Sequence, residues 1–375
     1  MKRMSKSIEK SDVLVAGGGP AGLAFAIAAR QAGFAVTVVD CAEPPIDKAC
    51  GEGILPDGLD SLAQLGIRLN PLVAAPFRGI RFISERDQVE ARFSHKVGYG
   101  IRRTTLHPLL VQRAAELGVS LNWRARISGL SADGVLVNGN LARFNWLICA
   151  DGQNSKLRRL AGLDRGASTS SRFGFRRHYR VAPWSDHVEV HWGDSGQMYV
   201  TPVADDEICV AFVTRHRQVR FDGDFREFPL LAARLHGIAP EADYLGALTV
   251  TRKLATVHAR NIALVGEASG SVDAVTGQGL SLAFRQALTL AEALKADDLR
   301  QYEAAHRRIM RLPRLMSALL LAMDSNAEFR RRAIRALAHD PGCFRRLVAV
   351  HNGAIALGDF GIRNGLTAGW RLLAA

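Results

Sequence analysis

Residues 12–40 constrain the fold more than any other stretch. Asp12-Val-Leu-Val-Ala16 is a short, unbroken apolar run of the kind required by a strand buried on both faces. Glycines follow at 17, 19 and 22, and an alanine-rich, helix-forming stretch continues to Gln31. Gly33 stops it, and Ala35-Val-Thr-Val-Val39 makes a second strand closing on Asp40. Strand, glycine turn, helix, strand and acid together make a βαβ unit, which commits the chain to an α/β fold. Gly17-x-Gly19-x-x-Gly22 lets the backbone turn tightly and approach a pyrophosphate, whose charge meets the amides at the helix start. Asp40 is placed to accept hydrogen bonds from a ribose.

The rest of the chain alternates between two patterns. Residues 43–75 look irregular apart from a helix over 58–65, and residues 76–96 suggest a strand pair. A helix over 104–117 follows, then short strands at 120–123, 135–137 and 145–150, the last ending at Asp151-Gly152. From Arg172 to Arg215 the period becomes two, in runs at 173–175, 188–192, 198–200 and 208–212, which predicts an antiparallel sheet. A strand over 261–265 then leads into Gly266-Glu267, and a helix over 279–294 carries Leu280, Phe284, Leu288, Ala291 and Leu294 on one face. The remainder is helical and basic. Pro313 and Pro341 are expected to divide it, with Asp340 capping the helix that Pro341 opens.

Two later stretches extend the first motif. Ala150-Asp151-Gly152-x-x-Ser155-x-x-Arg158 resembles the DG motif of flavin-dependent monooxygenases. Gly266-Glu267-Ala268, followed by Gly277-Gln278-Gly279 at a helix start, resembles their second flavin motif, and Arg103-x-x-Leu106-x-x-x-Leu110 resembles the arginine-led helix beside the cofactor. Over residues 12–295 the chain is similar to the FAD-dependent oxidoreductases related to p-hydroxybenzoate hydroxylase and geranylgeranyl reductases. Lys48-Ala-Cys50-Gly51-Glu52-Gly53 and Val272-Asp273-x-x-Thr276-Gly277 incline it toward the reductases.

The resemblance implies a Rossmann-like FAD-binding domain from residues 1–75, 97–165 and 252–295. An inserted antiparallel sheet, residues 76–96 and 166–251, would form a substrate domain, and residues 296–375 a C-terminal helical region. It also implies FAD contacts at Gly17, Gly19, Gly22, Asp40, Arg103, Asp151, Gly266, Glu267, Gly277, Gln278 and Gly279. A helix beginning at Gly277-Gln278-Gly279 presents amides and a positive dipole end, which would stabilise charge developing on a reduced flavin. Glu267 departs from the usual aspartate by one methylene, so its reach to the ribityl chain must shift or pass through water.

Absences narrow the function. The five cysteines make no CxxC pair and no zinc-spaced cluster with histidine, which reads as reduced thiols without a structural metal. A CxxxxC redox pair, a second dinucleotide fingerprint and the WxWxIP signature of flavin halogenases are all missing. The start, MKRMSKSIEK, lacks a signal-peptide core, so a cytoplasmic protein is expected. The net charge of +13 comes without a nucleic-acid-binding motif. His178, His187, His191 and Trp192 suit either a substrate pocket or ordinary strand alternation, and no side chain is assigned as catalytic.

The expected activity is therefore an NAD(P)H-dependent monooxygenation, hydroxylating or epoxidising a hydrophobic or aromatic small molecule. A flavin-dependent reduction of carbon–carbon double bonds in a lipid-like substrate is the alternative, and a non-catalytic binding protein on the same scaffold is the third reading. Arg307, Arg308, Arg311 and Arg314, interleaved with apolar side chains, suit either a packed helix or contact with an anionic membrane or acidic carrier protein.

Overall fold

The computed structural model describes residues 11–94, 96–131, 133–217 and 225–356. The last part of the basic tail, residues 357–375, and the start, residues 1–10, lie outside the described residues.

The expected βαβ unit is Ser11–Ala16, Pro20–Gln31 and Val36–Val39. Its first strand is central in a six-stranded sheet, flanked by Val36–Val39 and Phe144–Cys149, with Ile262–Leu264 next beyond the latter. These four run parallel, which explains their unbroken apolar sequences: both faces are covered. Helix Pro20–Gln31 packs on this sheet and against helix Gly279–Lys295. Small residues make that approach close, since a Cβ at Gly22 would fall 1.9 Å from the Gly17 carbonyl oxygen.

The second large sheet has seven strands, in the order Leu245–Leu254, Gly166–Tyr179, Glu207–Thr214, Gly196–Ala204, His187–Trp192, Gly79–Ile83 and Gln88–Arg92. All neighbours are antiparallel except His187–Trp192 with Gly79–Ile83. The four runs of period two and the strand pair of residues 76–96 thus share one sheet. The edge strand Leu245–Leu254 was not expected; most of it is half-buried or exposed, so it shows no clean alternation. A smaller sheet joins Gly53–Ile54, inside the stretch read as irregular, to Gly98–Gly100 and Ala75–Phe77, its strands too short to show a period.

The C-terminal region is helical, and one expectation about it fails. Pro313 does not divide it: helix Leu299–Ser325 runs straight through, and the break comes at Asn326. Pro313 is buried, so tertiary packing offsets the one hydrogen bond that its missing N–H costs. At Pro341 the expectation holds, with the Asp340 carboxylate accepting the Cys343 N–H at 3.1 Å.

Candidate active site

The parallel register lines up the sequence motifs. Ala16 is paired with Val39 on one side and Cys149 on the other, and Cys149 with Leu264. The residues that follow are Gly17, Asp40, Ala150-Asp151 and Val265-Gly266. Four motifs spread over 250 residues of sequence therefore meet at the carboxyl edge of one sheet, the usual ligand position in an open α/β fold.

Within this edge the glycines divide by role. Gly17 has φ 115°, and a Cβ there would lie 2.3 Å from the Ala150 carbonyl oxygen. Gly266 has φ 64°, and its Cβ would meet Ala21. Gly19 differs: its backbone is extended, open to any residue, and nothing lies within 4 Å of where its Cβ would be. It opens helix Pro20–Gln31 with no side-chain cap, so the first amides of that helix remain available to an anion. Gly277 and Gly279 are equally open, at the start of helix Gly279–Lys295. These cradles, free of side chains, fit a bound dinucleotide.

Asp40 accepts the N–H of Gly18 at 2.6 Å and of Ala42 at 2.8 Å, fixing the loop. Asp151 takes Ser155 Oγ at 2.5 Å and the Leu157 N–H at 3.1 Å, so it organises the turn into Lys156–Leu160. Arg158, fully buried, ties that turn to the next motif by donating to the Gln153 and Ala268 carbonyls. Arg103 is buried, its backbone N–H on the Glu52 carboxylate and its Nε without a partner, a buried donor consistent with a missing ligand. Glu267 is exposed and pairs with Lys48 at 2.7 Å. The Gln278 side chain turns to the C-terminal helix and donates to the His351 carbonyl at 2.7 Å.

Several residues escaped the sequence reading. His107, one turn beyond Arg103, donates from Nε2 to the Gly18 carbonyl at 2.8 Å; burial holds it below its ordinary value, as a neutral ring. Glu52 is fully buried with φ 59°, and its carboxylate meets Arg176 at 2.7 Å, His178 Nε2 at 2.7 Å and the Arg103 N–H at 2.9 Å. Burial alone would raise its pKa, but His178 and Arg176 outweigh that and hold it below the usual carboxylate range. Glu52, His178 and Cys209 have the atom types of a metal centre, but the Arg176 charge already on that carboxylate disfavours a cation.

Beside the motifs lies a cavity of ≈ 270 Å³, between the Lys48–Gly53 and Val272–Gly277 segments on one side and the seven-stranded sheet on the other. Phe77, Phe82, Val190, Leu320, Met323 and Phe344 are among its walls, the last three from C-terminal helices. Three of its polar members are engaged elsewhere: Tyr199 donates to the Val275 carbonyl, Asp273 binds Arg172, and Thr276 donates to the Asp273 carbonyl. Cys50 also lines it, and burial pushes its thiol up. His178, His187, His191 and Trp192 do not line it. The three histidines face the carboxylates of Glu52, Asp186 and Glu189, and Trp192 packs on Phe82.

Residues 10–299 match the FAD binding domain family. The chain belongs to that family. It is a FAD-dependent oxidoreductase with a Rossmann-like FAD-binding domain. It is 26% identical over 325 residues, 79% of each chain, to a menaquinone reductase of Mycolicibacterium smegmatis. It is 28% identical over 315 residues, 76% of this chain and 82% of the relative, to a digeranylgeranylglycerophospholipid reductase of Methanopyrus kandleri. The fold matches a p-nitrophenol 4-monooxygenase of Pseudomonas putida at TM-score 0.78 and 16% identity, over 91% of this chain and 97% of that one.

Proposed function

We propose that this flavoprotein reduces a carbon–carbon double bond in a long apolar, lipid-like substrate, using NADH or NADPH as reductant. The observation that carries the reading is the cavity: hydrocarbon walls meet the cofactor motifs directly, and Tyr199, Asp273 and Thr276 spend their hydrogen bonds on the protein. A site built for a phenol or a carboxylate would offer it a free donor or a charge. The two reductases named above, at 26% and 28% identity against 16% for the monooxygenase, support the same choice over the monooxygenation that sequence reading places first.

Gly17, Gly19 and Gly22 with Asp40 would hold the adenosine and pyrophosphate of FAD, and Gly277–Gly279 with Arg103 its flavin end. Bound FAD supplies a two-electron carrier between the nicotinamide and the substrate. The apolar walls align the substrate and exclude water. Cys50 lines this space with its thiol protonated at neutral pH, because burial penalises the thiolate. Lys48 and Glu267 close the solvent side of the same segment by their ion pair.

The test is anaerobic. Holoenzyme is reduced with NADH or NADPH under argon and mixed with a polyprenyl substrate. Recovery of the oxidised flavin spectrum without oxygen, and a product heavier by two hydrogens, is expected. Reoxidation that requires oxygen and adds an oxygen atom to the product identifies a monooxygenase instead. A flavin that no nicotinamide reduces leaves a binding protein.

A further inference from the structure

The mouth of the cavity carries a surface that the chemistry inside does not need. Helix Leu299–Ser325 forms part of the wall with Met316, Leu320 and Met323. The adjoining face bears Arg308, Arg311, Leu315 and Leu319, spaced by three, four and four residues and all exposed, so they form one stripe. Leu319 is 37% exposed yet lines the cavity, and so is Leu248 of the edge strand, at 38%. Leu315, one turn away, is 52% exposed. The apolar interior thus continues outward between helix and strand onto the surface, with two guanidinium groups further along the same stripe.

The four arginines singled out in the sequence are not equivalent. Arg307 is paired with Glu303, and Arg314 is half-buried, its pKa lowered by desolvation. Arg308 and Arg311 remain on the outer face. Leucines at the rim with arginines behind them complement a bilayer interface, where apolar side chains enter the acyl boundary and cations meet phosphate. The chain's net charge of +13 favours an anionic partner over a neutral one.

We infer that this stripe seats the protein on an anionic lipid bilayer, with the cavity mouth against the membrane, so that an apolar substrate passes from the acyl layer to the flavin without crossing water. The inference rests on the proposed apolar substrate for its purpose, though not for its geometry. Each methylene kept out of water during that passage favours it by about fourfold. A long hydrocarbon chain makes a route through solvent prohibitively slow.

The experiment is co-sedimentation of FAD-loaded protein with vesicles of phosphatidylcholine alone or mixed with phosphatidylglycerol, at low and high salt. Binding to the anionic vesicles at low salt is expected, falling at high salt as the charges are screened. Arg308→Gln and Arg311→Gln should each weaken it by about fivefold. Leu315→Glu, outside the cavity lining, should weaken it by about tenfold or more. All three variants should keep the wild-type circular dichroism and anaerobic flavin reoxidation with detergent-solubilised substrate. No binding to anionic vesicles at low salt, or equal binding by Leu315→Glu, overturns the inference and leaves the face to an acidic protein. Because vesicle binding is read without turnover, its failure is distinct from failure of the reductase reading, which the detergent assay reports.

Discussion

Replacing Gly19 and Gly22 separates a glycine required by a ligand from one required by the fold. At Gly22 a Cβ would stand 1.9 Å from the Gly17 carbonyl oxygen, so helix Pro20–Gln31 must move away from the strand loop. Gly22→Ala should therefore destabilise the apoprotein by about 1–3 kcal/mol or more, the range for overpacking a close contact. At Gly19 the backbone is already extended and a Cβ meets nothing within 4 Å. Gly19→Val should change apoprotein stability by less than about 1 kcal/mol, the difference between glycine and an aliphatic residue at an N-cap. Its isopropyl group, however, occupies the approach of the pyrophosphate to the helix amides. Losing two charge-assisted hydrogen bonds at about 1.5 kcal/mol each removes about 3 kcal/mol, or roughly 150-fold in affinity. Melts must be run on apoprotein, since bound FAD adds stability by mass action, and affinity is read by flavin fluorescence titration. A Gly19→Val protein that binds FAD as tightly as wild type, or one that melts as early as Gly22→Ala, refutes the argument.

Three further outcomes follow from titratable and charged side chains. His306 and His351 are both lowered to about 4, in each case chiefly by burial, with the Arg314 charge adding to it at His306. The unfolded chain takes these protons near pH 6.5, so stability should be full above that value and fall as pH drops toward 4, by up to about 3 kcal/mol per histidine; thermal melts across that window check it. Arg176→Met leaves the buried Glu52 and the Asp47 carboxylate without their guanidinium and should cost about 3–5 kcal/mol, measured by urea unfolding. Glu267→Ala should leave the apoprotein melting point nearly unchanged, because an exposed ion pair contributes at most about 1 kcal/mol. If the carboxylate also reaches the ribityl chain, FAD affinity falls by about 1–3 kcal/mol in the same titration, and Glu267→Asp restores it.

What the sequence disclosed, and what it withheld, follows from distance along the chain. The glycine loop was legible because strand, turn, helix and acid are consecutive, and each obeys a local rule. Glu52 lies within the Lys48–Gly53 motif, but its role is not legible there. Local rules send a glutamate to the surface, whereas this one sits in the left-handed region and is neutralised by Arg176 and His178, more than 120 residues later. The strand Leu245–Leu254 was missed because an edge strand with partial exposure on both faces has no alternation to detect. Pro313 misled for the opposite reason: the rule against proline inside helices is local, and packing of the buried ring overrode it.

The cofactor turn and the cavity are parts of one structure, joined by residues far apart in the chain. His351, at the end of helix Pro341–His351, donates from Nε2 to the Thr276 carbonyl at 3.0 Å, while its own carbonyl accepts from Gln278 at 2.7 Å. The turn that presents Gly277 and Gly279 is thereby gripped on both sides by a helix that also supplies Phe344 and Val348 to the cavity wall. That helix is hydrogen-bonded to the cofactor turn. The cavity wall and the cofactor turn are thus joined through His351. Burial lowers its pKa to about 4, so the ring is neutral near pH 7 and Nε2 is the donor to the Thr276 carbonyl. No spacing rule connects residues 276–278 with residue 351, so only the folded chain discloses that the C-terminal helices brace the cofactor turn as well as cover the cavity.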